Sequence, residues 1–182
     1  MSRALPASAV PTGPEVLIER ALRGDEQALS ALYHAHAAYL AGVVYRMLGS
    51  DADLDDIVQE TFIEGYKQLG ALREPAKLRS FLVTIAVRRI HARLSFRYRL
   101  AGVARRLFGT APRVSDPADA ARVHALYEVL ATCGARERVA WVLHRVEGYT
   151  LPEAAEQSNV SLATVKRWIA RIDAEVEAHD AP

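Results

Sequence analysis

The stretch LDDIVQETFIEGYKQL, Leu54–Leu69, has the spacing of a helix with two different faces. At about 3.6 residues per turn, one stripe is apolar and suited to a core. That stripe comprises Leu54, Val58, Phe62, Tyr66 and Leu69. The other face is mostly polar, and Ile63 lies in the middle of it. This face is therefore either a contact surface for another protein or a solvated face with one exposed apolar residue. Its polar residues are Asp56, Gln59, Glu60 and Lys67.

Composition and periodicity predict an all-α protein. The chain has 182 residues, of which 51% are hydrophobic, enough for one domain or two small ones with a real core. Helical periodicity recurs along the chain, whereas no alternating apolar run is bounded by hairpin turns. Two small helical domains are expected, at residues 15–100 and 119–182. We expect residues 1–14 to be a flexible tail and 101–118, where glycine and proline interrupt the pattern, to be a flexible linker.

Cap and stop residues divide these domains into helices. Asp25 is expected to cap a long helix that ends at Gly49, and Asp51 or Asp53 to cap the acidic helix, which ends at Gly70. The helices are predicted at Glu15–Arg23, from Asp25 through Leu48, Leu54–Leu69, Leu78–Arg97, Asp119–Thr132 and Ala135–Glu147, followed by two short ones. A connector, Gly70–Lys77, contains Pro75.

Charge is distributed unevenly, although the formal net charge is only +1. From residue 15 to residue 72, ten acidic residues face four basic ones; from 73 to 106, ten basic residues face Glu74 alone. This asymmetry indicates a nucleic-acid face on the second segment. There, Phe96 and Tyr98 alternate with arginines, a combination suited to stacking unpaired bases beside phosphates. A solvated basic helix end with packing aromatics is the alternative.

The segment LPEAAEQSNVSLATVKRWIARI, Leu151–Ile172, has the layout of a helix-turn-helix. Asn159 can adopt the left-handed conformation of a tight turn, and Ser161 can cap the next helix. Val165, Ile169 and Ile172 are expected in the core, while Thr164, Lys166, Arg167 and Arg171 face outward, where they could enter a major groove. A simple helical hairpin is the alternative.

Taken together, these motifs resemble a bacterial RNA polymerase sigma factor of the extracytoplasmic-function type, within the sigma-seventy family. The resemblance extends from Leu17 onward and depends on the blocks RGDEQALSALYHAH (Arg23–His36), DLDDIVQETF (Asp53–Phe62), LRSFLVTIAVRR (Leu78–Arg89) and the C-terminal helix pair. It implies a protein that binds core polymerase, reads the minus-thirty-five and minus-ten promoter elements and promotes DNA melting. A helix-turn-helix regulator, or a sigma-like polymerase-binding protein that does not initiate transcription, remains the alternative.

The resemblance also implies three sets of site residues. The polymerase-binding set, expected on the clamp coiled coil of the largest subunit, is Asp55, Asp56, Gln59, Glu60 and Ile63. The minus-ten set is Arg73, Lys77, Arg79, Arg88, Arg89 and Arg93, and the minus-thirty-five set is Ser161, Thr164, Lys166, Arg167 and Arg171. The C-terminal domain is expected on the beta flap, and an anti-sigma protein is a further expected partner. At four positions, the chain departs from the residue that the family usually has: Phe81, Arg88, Arg167 and Trp168. The preferred bases and the details of strand separation therefore stay open.

Other functional classes find little support. The six histidines have no metal-ligand spacing with nearby cysteine or carboxylate, and no phosphate-binding loop or nucleophile elbow occurs. We therefore expect no enzyme activity, no cofactor and no metal. Cys133 is the single cysteine, which fits a reducing cytoplasmic setting. No segment has the length and hydropathy of a membrane span or a signal peptide, so no membrane association is expected.

Overall fold

The computed structural model describes residues 13–101, 126 and 128–180, and this part of the chain contains helices and turns but no β-strand. The all-α fold class is therefore confirmed. The helices are α1 (Pro14–Leu22), α2 (Glu26–Leu48), α3 (Leu54–Lys67), α4 (Leu78–Ala101), α5 (Ala135–Trp141), α6 (Leu151–Ser158) and α7 (Leu162–Asp180). Residues 128–132 are also helical. The predicted tail and linker, and most of the helix expected from residue 119, lie outside the described residues.

Local chemistry sets the ends of α2 as the sequence predicts. The Asp25 carboxylate accepts hydrogen bonds from the backbone N–H groups of Gln27 (3.0 Å) and Ala28 (3.2 Å), which caps the first turn. At the other end Gly49 adopts φ +69°, a left-handed conformation that glycine tolerates best. These two residues fix the length of this 23-residue helix.

Helices α2, α3 and α4 form the core of the first domain. Helix α3 packs against both of the others, which also contact each other. Its buried surface is therefore wider than one stripe: Ile57, outside the predicted stripe, is fully buried, as are Val58 and Phe62. Gly65 permits the close approach of α3 to α4, because a Cβ there would lie 2.9 Å from Leu82 Cδ2. The acidic helix is thus held rigidly along two sides.

Several helix boundaries differ from the prediction. Asp53 precedes α3 but makes no side-chain cap bond; its carboxylate pairs with Arg93 instead. Helix α3 ends at Lys67, and the connector consists of two 3₁₀ turns, Leu69–Ala71 and Pro75–Lys77. Helix α4 continues to Ala101, four residues beyond the predicted Arg97.

The second domain packs α5, α6 and α7 around buried apolar side chains. Helix α5 widens into a π-helical turn at Val142–Val146. The last helix has 19 residues, so the expectation of two short helices at the end is wrong for the second. Its core-facing side is as predicted, with Val165, Ile169 and Ile172 buried. The two domains contact each other, chiefly through α2 and α4 on one side and α5 and α6 on the other.

Candidate functional site

The outer face of α3 presents carboxylates and one apolar side chain. Asp55 and Asp56 lie in the first turn of the helix, where the positive end of the helix dipole favours negative charge. Both are exposed, as is Gln59 in the following turn. Ile63 is 49% exposed, one of few large apolar side chains so exposed in the described structure. The predicted acidic face therefore exists, with its apolar residue facing solvent.

The same acidic face is linked to α4 by ion pairs. Arg93 lies 2.6 Å from a Glu60 oxygen, 3.3 Å from Asp53 and 3.6 Å from Asp56. The hydrogen bond to Glu60 raises the pKa of Arg93 above its ordinary value. Arg89 lies 3.2 Å from Glu64 and 4.0 Å from Glu60. Two arginines expected to contact DNA, Arg89 and Arg93, are thus paired with acids of α3. Two of those acids, Asp56 and Glu60, are themselves expected to contact polymerase.

Of the other predicted minus-ten residues, Arg73, Lys77 and Arg79 lie on the connector and the start of α4, whereas Arg88 lies near the middle of that helix. Arg73, Arg79 and Arg88 are exposed. The Arg79 guanidinium lies over the Tyr39 ring, 5.0 Å from its centroid, a cation–π distance. Lys77 pairs with Glu74 at 2.8 Å on the surface, a weak interaction that a phosphate could replace. This end of α4 is the most accessible positive surface of the predicted set.

The helix-turn-helix geometry follows from three local features. A capping box at Thr150 and Glu153, which the sequence reasoning missed although its T-x-x-E spacing is visible, starts α6. Asn159 adopts φ 52° and ψ 50°, the left-handed turn that was predicted. Ser161 Oγ accepts from the N–H of Thr164 at 3.2 Å and so begins α7. Ser161 therefore has a structural role beside its predicted one.

On the outer side of α7 the predicted reading residues divide into two groups. Lys166 and Arg167 are exposed on the first half of the helix. Arg171 instead pairs with Glu137 of α5 and lies 3.5 Å from Glu175, and the hydrogen bond to Glu137 raises its pKa. Trp168 is half-buried against the core. Arg171 is also exposed, so the difference between the two groups lies in its pairing with acidic side chains.

Two family models match this chain: Sigma-70 region 2 over residues 32–99 and Sigma-70, region 4 over residues 124–172. Among known proteins, the ferric citrate uptake sigma factor FecI of Escherichia coli K12 is 29% identical over 161 residues, which cover 84% of this chain and 91% of FecI. The chain is an extracytoplasmic-function sigma factor. The ECF RNA polymerase sigma-E factor of the same strain is 36% identical over 73 residues, 40% of this sigma factor and 38% of that relative. The family resemblance is therefore confirmed.

Solved structures agree on the fold of this sigma factor. The sigma factor RpoE in complex with the anti-sigma factor NepR from Bartonella quintana superposes with a TM-score of 0.68 at 14% identity, covering 82% of this chain and 94% of that one. CnrH in complex with the cytosolic domain of CnrY gives 0.54 at 24% identity, with 91% and 95% covered. In the described part of the sigma factor, no helix has the length and apolar character needed to span a bilayer.

Proposed function

We propose that this sigma factor binds core RNA polymerase through its first domain and drives promoter melting at the minus-ten element. One observation carries the proposal: a single rigid domain presents an exposed acidic face on α3 beside the basic helix α4. A regulator that only binds duplex DNA needs the helix-turn-helix but neither of these surfaces. A sigma-like protein that binds polymerase without initiating transcription would need the acidic face but not the basic helix.

The polymerase-binding surface is proposed to be Asp55, Asp56, Gln59 and Ile63, with Glu60 held in place by Arg93, against the clamp coiled coil of the largest subunit. Charge reversal of Asp55 and Asp56 to Lys should weaken core binding by at least about tenfold, because like charges are then opposed across the interface. Glu19→Lys is the matched control, since Glu19 is an exposed acid on α1. Equal core affinity in both variants would contradict this surface, provided that circular dichroism shows intact helices.

For the minus-ten element we propose that Arg73, Arg79 and Arg88 make the first contacts with the separated strand. These three side chains are exposed. Lys77, Arg89 and Arg93 are paired with acidic side chains, and they would bind DNA only after phosphates replace those acidic partners. Opening the duplex costs a few kcal/mol for each base extracted, so a cationic surface beside the opened strand is required. The C-terminal domain is proposed to bind the beta flap and to read the minus-thirty-five element through α7.

Permanganate reactivity of thymines tests melting directly. The complex of core polymerase and this protein should make minus-ten thymines reactive on a bound promoter. Replacement of Arg79 and Arg88 by Gln should reduce that reactivity at equal promoter occupancy. A complex that occupies promoters but never exposes thymines would favour the non-initiating alternative.

An anti-sigma protein is proposed as a second partner, and the cytoplasm as the site of action. The support is that two solved relatives with the same fold are described in complex, RpoE with the anti-sigma factor NepR and CnrH with the cytosolic domain of CnrY. Affinity purification of the tagged protein from its native cells should recover such an inhibitor together with polymerase. Recovery of polymerase alone, under conditions in which the regulon is silent, would count against it.

A further inference from the structure

A cavity of about 450 Å³ lies between α4 and the second domain. Helix α4 contributes four residues that share one face of the helix, at the spacing i, i+3, i+4 and i+7: Arg88, His91, Ala92 and Ser95. The opposite side consists of Arg136 of α5 and of residues 156–159 at the end of α6. A volume of this size is within the range of small-molecule binding sites in proteins.

The lining of this cavity carries more positive than negative charge. Arg88 and Arg136 are both exposed, and neither makes an ion pair within the part of the chain that the structure describes. They differ in this from Arg89 and Arg93, which are paired with acids of α3. Among the lining residues, Glu156 alone is acidic. Two unpaired guanidinium groups beside a cavity attract an anion.

Two buried polar atoms of the lining residues also lack a hydrogen-bond partner in the described structure. They are Nε2 of His91 and Oγ of Ser158, and Ser158 is only 1% exposed. Burial, and then the charge of Arg136, lower the pKa of His91. Buried polar side-chain atoms nearly always have a partner, because leaving one unsatisfied is costly. A molecule with hydrogen-bonding groups in this cavity would supply the partners that His91 and Ser158 lack.

We propose that this cavity binds a small phosphorylated metabolite of about the size of a nucleotide, with its phosphate groups on Arg88 and Arg136. Arginine suits phosphate because its planar guanidinium donates two parallel hydrogen bonds to a pair of phosphate oxygens. The carboxylate of Glu156 is then available to accept hydrogen bonds from the uncharged part of the ligand, such as hydroxyl or amino groups. A ligand with an anionic end and a donor-rich end therefore fits the lining better than a simple anion does.

The proposed site shares one residue with the proposed DNA-binding surface. Arg88 is among the side chains proposed to contact the separated minus-ten strand, so one guanidinium cannot hold the metabolite and that strand together. Arg136 belongs to neither proposed DNA-binding set. Bound metabolite should therefore oppose promoter melting. This consequence rests on the proposed melting function, whereas the binding site itself does not.

Isothermal titration calorimetry of the full chain tests the site, with pyrophosphate and ATP as probes and adenosine as the uncharged control. We expect one saturable site per chain for both anions and none for adenosine. Arg136→Gln should weaken binding by about tenfold, because charged hydrogen bonds to phosphate are lost. Arg23→Gln is the matched control, since Arg23 is an exposed arginine that does not line the cavity.

The two probes separate the sources of the phosphate group. Tighter binding of ATP than of pyrophosphate would identify a nucleotide-like ligand, and equal affinities would identify the phosphate groups as the determinant of binding. No saturable binding of either anion at millimolar concentration would overturn the proposal. Equal weakening in Arg136→Gln and Arg23→Gln would overturn it too, because it would show a general attraction of anions to the protein surface.

Permanganate reactivity of minus-ten thymines tests the consequence for melting. The tighter-binding probe, incubated with the protein before core polymerase is added, should reduce thymine reactivity several-fold for the wild type but not for Arg136→Gln. An equal reduction in both proteins would show an effect through the polymerase and overturn this role. If no thymine becomes reactive without the probe, the proposed melting function fails, whereas calorimetry still decides whether the site exists.

Discussion

Gly49→Ala should destabilise the protein far more than alanine at an equivalent turn. At φ +69° a non-glycine residue costs about 1–2 kcal/mol, partly offset by the reduced freedom of the unfolded chain. In addition, the new Cβ would lie 2.3 Å from Arg138 Nη1 and 2.8 Å from Cζ. The guanidinium must then move and loses a charged hydrogen bond to the Met47 carbonyl, worth roughly 1.5–3 kcal/mol. The total expected loss is about 3 kcal/mol.

Gly24 supplies the control. It lies in the same domain at φ +83°, and a Cβ there would meet no atom within 4 Å. Gly24→Ala should therefore show only the backbone cost, about 1 kcal/mol. Urea unfolding followed by circular dichroism gives both free energies of unfolding. If the two variants are equally destabilised, Arg138 does not occupy the space above Gly49. In an Arg138→Ala background the difference between them should fall to near zero.

Three further predictions address the core, the reading helix and acid sensitivity. Val58→Asp should lower the free energy of unfolding by roughly 3 kcal/mol or more because it buries an unpaired charge, whereas Gln59→Asp on the exposed face should have little effect in the same urea titration. Arg167→Gln should weaken binding to minus-thirty-five duplex DNA. If Arg167 contacts a phosphate, the slope of the logarithm of the binding constant against the logarithm of the salt concentration should also decrease by about 0.9. Arg136→Gln, outside α7, should leave this slope unchanged. Burial, and then the charge of Arg136, lower the pKa of His91. As the pH falls below about 6.5, this histidine is protonated in the unfolded chain before it is protonated in the folded protein, so the free energy of unfolding should fall. A His91→Gln variant whose free energy of unfolding has the same dependence on pH as that of the wild type would contradict this.

Local rules were sufficient for much of the fold. Asp25, Gly49 and Asn159 were assigned from side-chain capping and left-handed backbone preference alone, and each adopts the predicted geometry. Periodicity failed at Ile57, because a single stripe describes a helix packed on one side, while α3 is covered on two. The contact of the domains was not predictable either, since Glu147 and Tyr39 are separated by 108 positions and carry no local signal of each other.

For the candidate site, residue type was predictable but pairing was not. The sequence assigned acids to one partner and bases to another, because the two signs are segregated along the chain. In three dimensions α3 and α4 are neighbours, so Arg93 contacts Glu60 and Asp56 across the helix interface. Which cations remain available to DNA therefore depends on tertiary packing, and Arg79 and Arg88 are exposed where Arg89 and Arg93 are paired.

Run-off transcription tests the central claim, that this protein directs initiation by core RNA polymerase. Purified core polymerase is incubated with a promoter library, with and without the full-length protein, and the transcripts are mapped. We expect transcripts with defined start sites that require the protein, and that are reduced by charge reversal of Asp55 and Asp56 but not by Glu19→Lys. Stable binding to core polymerase without protein-dependent transcripts from any promoter in the library would contradict the account.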